Sequence, residues 1–152
     1  MERLYVAYGS NLNKHQMKYR CPDAKAISTG YLKNWELIFR GSKTGFYATI
    51  RRRPGKYIPV VIWSISSLDE KHLDIYEGYP TFYQKQNVYV TLHDNSKIKA
   101  MVYIMRKNAR AGKPSERYVQ TIYEGYKDFN LDMRFLRGFL EYNNREMQKE
   151  RC

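Results

Sequence analysis

Two short stretches of this chain carry residues whose types and spacing suit chemistry. The first is Tyr8-Gly9-Ser10-Asn11, which follows the apolar run of residues 4–7. A strand that stops at Gly-Ser-Asn and runs into a helix leaves several backbone N–H groups without partners, and glycine admits a ligand close to the main chain. Such a turn can hold an anion or a developing oxyanion. Read as structure alone, the same residues make a tight turn with an asparagine cap. The second stretch is Tyr76-Glu77-Gly78-Tyr79. If a helix precedes it, Glu77 falls in the last turn, where the partial negative charge of the helix end disfavours an anion by roughly 0.3–1 kcal/mol. Burial among Tyr76, Tyr79, Phe82 and Tyr83 would raise its pKa further, toward what a general base needs near neutral pH. The plain alternative is a solvated glutamate at a helix end.

The tetrapeptide Tyr-Glu-Gly-Tyr recurs at residues 123–126. Glu124 there lies inside a helical pattern that starts at Ser115 and reads as structural. His15, His72 and His93 show no metal-ligand spacing, and nothing pairs Cys21 or Ser10 with a base and an orienting acid. The first turn lacks the Gly-Lys-Ser/Thr of a phosphate loop and the Gly-x-Ser-x-Gly of a nucleophile elbow. The expectation is a site with no metal and no cofactor.

Several elements must position these residues. Residues 4–7 read as a short buried strand, after which Asn11 or Asn13 caps a helix running from His15 to Arg20. Residues 26–40 and 46–53 are rich in aromatic and β-branched types and read as strands. Pro54-Gly55 reads as a turn before a further strand at 59–65. Ser67-Leu68-Asp69-Glu70 fits a capping box opening a helix that Gly78 and Pro80 must stop. Strands at 83–92 and 98–105 are joined by a turn at Asp94-Asn95-Ser96. One helix then starts at Pro114-Ser115 and another near Asp132. Strands first and helices late, with one helix inserted, give an α+β fold with a mainly antiparallel, barrel-like sheet.

At 152 residues the chain has the size of a single domain, 1–152, able to bury a core without disulfide or metal staples. The two cysteines, Cys21 and Cys152, read as reduced thiols. The N-terminus lacks a signal-peptide pattern, and the longest apolar stretch, at 59–65, falls far short of the ~20 residues that span a bilayer. A cytoplasmic location with no membrane partner is the expectation. The net charge of +12 is the one compositional feature that argues for something other than a small-molecule enzyme, since clustered Lys and Arg attract anionic partners. Its two clusters, Arg51-Arg52-Arg53 and the stretch Arg106-Lys107-Asn108-Ala109-Arg110 continuing to Lys113, sit in no nucleic-acid motif and read as solvated surface. Nucleic acid is the second reading of that charge.

The order of these pieces resembles the gamma-glutamylcyclotransferase-like family from Leu4 to about Leu140. The likeness rests on Tyr5-Val6-Ala7-Tyr8-Gly9-Ser10-Asn11-Leu12, Phe46-Tyr47-Ala48-Thr49-Ile50 and Val60-Val61-Ile62-Trp63. It continues in Leu73-Asp74-Ile75-Tyr76-Glu77-Gly78 followed by Tyr83, in Lys99-Ala100-Met101-Val102-Tyr103, and in Pro114-Ser115-x-x-Tyr118. The resemblance implies a small mixed barrel flanked by helices. It implies Glu77 as the acid/base, and substrate contacts from Tyr5, Val6, Ala7, Tyr8, Gly9, Ser10, Asn11 and Tyr103. It further implies a small gamma-glutamyl substrate cyclised to 5-oxoproline without a cofactor. The form Tyr76-Glu77-Gly78-Tyr79-Pro80 is nearer to the plant and bacterial branches of that family than to its glutathione-cycle members. The alternative is a non-catalytic small-molecule or anion-binding domain on the same fold.

Overall fold

The computed structural model describes residues 2–42, 44–106 and 109–151. Lys107 and Asn108 of the second basic cluster, and Cys152, lie outside the described residues. Five strands, β1 (Arg3–Ala7), β2 (Lys25–Ser42), β3 (Gly45–Ile65), β4 (Tyr83–Thr91) and β5 (Lys97–Met105), close into a barrel in the order β1-β3-β2-β4-β5. Every pairing is antiparallel except β1 with β5, which run parallel through Tyr5 and Met101. Four helices, α1 (Lys14–Arg20), α2 (Ser67–Glu77), α3 (Glu116–Asp128) and α4 (Met133–Arg151), flank it. This is the mixed, mainly antiparallel α+β barrel that the sequence implies.

The barrel is filled by Leu32, Phe39, Ile58, Val60, Ile62 and Val102, all fully buried. Residues 58–65 are buried without interruption, because that part of β3 lies between β1 and β2 and is covered on both faces. The strand predicted at 46–53 and the one at 59–65 are a single strand. Pro54-Gly55 is a bulge and not a chain reversal. Trp35 pairs with Arg52 and Lys33 with Tyr57, so residues 53–56 stand opposite Asn34 alone. The Gly55 amide donates to Asn34 Oδ1 at 3.1 Å. Pairing then resumes on the same neighbour, β2, and nothing forces the chain to turn back.

Helix boundaries follow their caps. Asn13, and not Asn11, caps α1, its Oδ1 accepting from the Gln16 amide. The capping box of α2 lies one residue before the predicted one: the Ser66 hydroxyl accepts from the Asp69 amide, and Asp69 Oδ2 accepts from the Ser66 amide. Both Ser66 and Ser67 stand three residues before an acid, and the buried member, Asp69, is the one used. Gly78 ends α2 at φ 67°, the left-handed conformation that glycine adopts without a Cβ penalty. Ser115 caps α3 through the Tyr118 amide.

Of the first basic cluster, Arg51 is not free surface. Its Nε donates to Glu36 at 2.6 Å and its Nη2 to Glu146 of α4 at 2.7 Å, and Arg40 joins the same Glu146 at 3.2 Å. This ionic ladder ties the β2–β3 hairpin to the C-terminal helix. Arg52 and Arg53 are exposed, with Arg52 over the Trp35 ring.

Candidate active site

β1 ends at Ala7, and the chain leaves the barrel through Tyr8 and Gly9 into a 3-10 turn at Ser10–Leu12. That turn is held by Leu12 N–H to the Gly9 carbonyl and Asn13 N–H to the Ser10 carbonyl. The amides of Ser10 and Asn11, at the start of the turn, have no acceptor within it. The turn cannot drift, because the Trp63 indole donates to the Asn11 carbonyl at 3.0 Å and Asn11 Nδ2 donates to the Tyr5 hydroxyl at 2.9 Å.

Across a cavity of about 200 Å³ from this turn stands Glu77. The last turn of α2 delivers it, and the Gly78 cap fixes where that helix stops. Glu77 is half-buried, and among the described residues no side chain donates a hydrogen bond to its carboxyl. Burial pushes its pKa up to about 8, partly offset by the Arg20 guanidinium. The carboxyl is therefore poised to gain or lose a proton near neutral pH, the property a general acid/base requires.

The remaining wall is largely aromatic: Tyr5, Tyr8, Tyr47, Tyr76, Phe82, Tyr83, Tyr103 and Tyr118 all reach the cavity. Their hydroxyls divide by hydrogen-bond direction. Tyr8 donates to the Tyr103 carbonyl at 2.7 Å, Tyr83 to the Ala48 carbonyl at 2.8 Å, and Tyr103 to Asp74 Oδ1 at 2.6 Å. Those three protons are engaged by the protein. Tyr5 accepts from Asn11, and Tyr118 accepts from the Ala48 amide at 2.9 Å. Each of these two keeps its own hydroxyl proton for another acceptor. Asp74 is itself held by Lys85 at 2.7 Å, and Lys85 also meets Glu70 at 2.6 Å, so a charged network behind the wall fixes Tyr103.

Of the residues expected at the site, the structure brings together Tyr5, Tyr8, Gly9, Ser10, Asn11, Tyr103 and Glu77. Val6 and Ala7 do not line the cavity. They are core residues of β1, paired with Ile62 and Val61 of β3. Tyr79, expected to cover Glu77, is substantially exposed and lies against the Lys85 ammonium. Glu124 is exposed on α3, away from the cavity. Tyr83 lies at the cavity with Glu77 as expected, whereas Tyr118, Tyr47 and Arg20 carry no site expectation from the sequence. Tyr118 stood in the Pro-Ser-x-x-Tyr motif, but only the fold shows its hydroxyl beside Gly9, where a Cβ would lie 3.4 Å from it.

Residues 5–125 match the family described as Gamma-glutamyl cyclotransferase, AIG2-like. The gamma-glutamylcyclotransferases of Homo sapiens and Bos taurus are each 31% identical to the chain over 140 residues, covering 87% of it and 74% of themselves. A solved gamma-glutamyl cyclotransferase structure superposes with a TM-score of 0.84 at 28% identity, covering 91% of this chain and 86% of that one. An AIG2-like protein of Mus musculus, at 15% identity and a TM-score of 0.56 over 78% of this chain and 82% of its own, shares the fold. The chain belongs to the gamma-glutamyl cyclotransferase, AIG2-like family. Among the described residues there is no cluster of three or more His, Cys, Asp or Glu able to hold a metal ion, and no helix long and apolar enough to cross a membrane.

Proposed function

We propose that the protein is a gamma-glutamylcyclotransferase-type enzyme, which closes the gamma-glutamyl group of an amine or amino acid conjugate into 5-oxoproline and releases the free amine. The observation that carries this reading is the placement of Glu77: a half-buried glutamate, its pKa pushed up to about 8 by burial, lining one small cavity together with Gly9, Ser10 and Asn11 of the turn.

The gamma-glutamyl group binds between turn and glutamate. The amides around Gly9, Ser10 and Asn11 face its gamma-carbonyl, and the Tyr5 and Tyr118 hydroxyls supply further neutral donors. The Glu77 carboxylate takes a proton from the alpha-ammonium. The freed amine attacks the gamma-carbonyl carbon of the same molecule, forming the ring C–N bond and a tetrahedral oxyanion. Preorganised donors of this kind are typically worth about 3–4 kcal/mol each in the transition state. Glu77, now a carboxylic acid, gives its proton to the leaving nitrogen as the original C–N bond breaks. It then takes the second proton from the ring nitrogen and passes it to the released amine, which departs as an ammonium ion while the ring nitrogen keeps the single hydrogen of the lactam. Atoms balance without water, metal or a protein nucleophile, because nucleophile and electrophile belong to one substrate and need only be folded into contact. Glu77 and the substrate ammonium have similar proton affinities, so neither transfer runs far uphill.

The test is to incubate the purified protein with gamma-glutamyl amino acids, gamma-glutamylamines and glutathione, assaying 5-oxoproline together with the released amine. Equal amounts of both products from any one of these supports the reading and names the leaving group. Release of amine with glutamate in place of 5-oxoproline would replace cyclisation by hydrolysis.

A further inference from the structure

Arg20 closes α1, and a basic residue at a helix C-terminus is ordinarily explained by the helix dipole. Its contacts here go elsewhere. Nη1 donates to Asn11 Oδ1 at 2.6 Å and approaches the Ser10 hydroxyl at 3.4 Å. The guanidinium carbon lies 3.3 Å from the centre of the Tyr76 ring, one residue before Glu77. With the Gln16 amide turned, its oxygen accepts from the same guanidinium. The Arg20 carbonyl meets the ring of His72, which sits on α2. One side chain thus grips the anion-binding turn and the end of the helix that carries the carboxyl.

We propose that Arg20 is a positioning residue of this site, which ties the Ser10–Asn11 turn to the last turn of α2 and places a positive charge at the helix end that carries Glu77. The two parts follow from different contacts. The planar guanidinium both donates through Nη1 to Asn11 and stacks on Tyr76, a combination that a lysine ammonium does not reproduce. By orienting Asn11, it also directs Nδ2 onto the Tyr5 hydroxyl and so leaves that hydroxyl's proton for the substrate. The charge part is set by what else faces Glu77. Tyr5 and Tyr8 from β1 and its exit, Tyr83 from β4, Tyr103 from β5 and Tyr118 from α3 are all held neutral, burial pushing each hydroxyl's pKa up. Tyr76 and Tyr47 complete the polar wall. Among the described residues, Arg20 is the group that favours the Glu77 carboxylate.

The role of Glu77 as acid/base rests on the proposed function, but the effect of Arg20 on its protonation does not, so the experiment reads that effect without substrate. The Glu77 carboxyl carbon is titrated by carbon-13 NMR in the wild type, in Arg20→Gln and in Arg20→Lys, each checked for its fold by circular dichroism. Arg20→Gln is expected to move the Glu77 midpoint upward by about one unit. Arg20→Lys is expected to hold the midpoint within about half of that and, on a substrate the wild type turns over, to lower kcat/KM by about tenfold. A folded Arg20→Gln with an unmoved midpoint overturns the electrostatic part. Should Arg20→Gln not fold, the Arg20→Lys titration carries that part, and a midpoint raised by a full unit despite the retained cation overturns it. Full kcat/KM in Arg20→Lys overturns the positioning part. Absence of turnover in the wild type itself would count against the proposed function and leave the titration result standing.

Discussion

Gly125 of α3 is pressed against Leu12 so closely that a Cβ built on it would sit 2.7 Å from the Leu12 Cβ and 2.8 Å from the Asn13 amide nitrogen. The 3-10 turn beneath is the one that brings Ser10 and Asn11 to the cavity wall. Gly125→Ala must therefore push α3 or the turn aside, at a cost of about 1–3 kcal/mol. Chemical denaturation should show the lower midpoint, and kcat should fall at temperatures where the variant remains folded, because the turn has moved.

Carrying a carboxyl whose folded pKa is near 8 costs the protein stability as pH rises. The folded value lies above the unfolded one of about 4.3, so the wild type holds its full contribution from Glu77 below that pH and loses it as pH climbs through about 8. Glu77→Gln, neutral at every pH, should match the wild type near pH 4 and exceed it by a few kcal/mol at pH 9, at ~1.36 kcal/mol per unit of displacement. Urea unfolding of both proteins across that range checks it. A difference independent of pH would mean that the carboxyl is not buried as described.

The same midpoint governs turnover. At pH 7 about a tenth of free-enzyme Glu77 is ionised, so kcat/KM for a cyclising substrate should rise with pH and level off only above about 8. The bound substrate ammonium favours the carboxylate, so the midpoint read from kcat should lie below that read from kcat/KM. Initial rates from pH 5.5 to 9.5 give both.

Arg51 is the hub of the ladder between the hairpin and α4, and Glu36 beneath it has a side chain only 6% exposed. Arg51→Met leaves that carboxylate in the protein without its cation. Because Arg51 itself is partly solvated and Arg40 still reaches Glu146, the loss should be about 1–3 kcal/mol and not the full cost of breaking a buried pair. Thermal unfolding should drop accordingly, with kcat unchanged, since the ladder lies away from the cavity.

How far sequence alone reached is clearest in the two copies of Tyr-Glu-Gly-Tyr. Context separated Glu77 from Glu124, because one copy ends a helix and the other lies inside one. Their glycines do different work that no tetrapeptide encodes. Gly78 adopts a left-handed turn, whereas Gly125 provides space for a neighbouring element more than a hundred residues earlier in the chain. Strands were legible from their aromatic and β-branched composition. The parallel closure of β1 on β5 is a long-range pairing that local pattern does not contain. For the same reason nothing local marks Arg20: the acceptor on Asn11 and the ring of Tyr76 meet it only in the folded chain. Val6 and Ala7 belong to the same motif, yet successive residues of a strand point to opposite faces, so Val6 cannot share the cavity with Tyr5, and both Val6 and Ala7 serve the core.

The most direct test of the central claim compares 5-oxoproline formation by the wild type and by Glu77→Gln on the best substrate of the panel, at pH 8 and at equal concentrations of folded protein. The account predicts a kcat lower by about 10²–10⁴-fold in the variant, with substrate still bound. Undiminished turnover by Glu77→Gln would contradict it and remove this carboxyl from the chemistry.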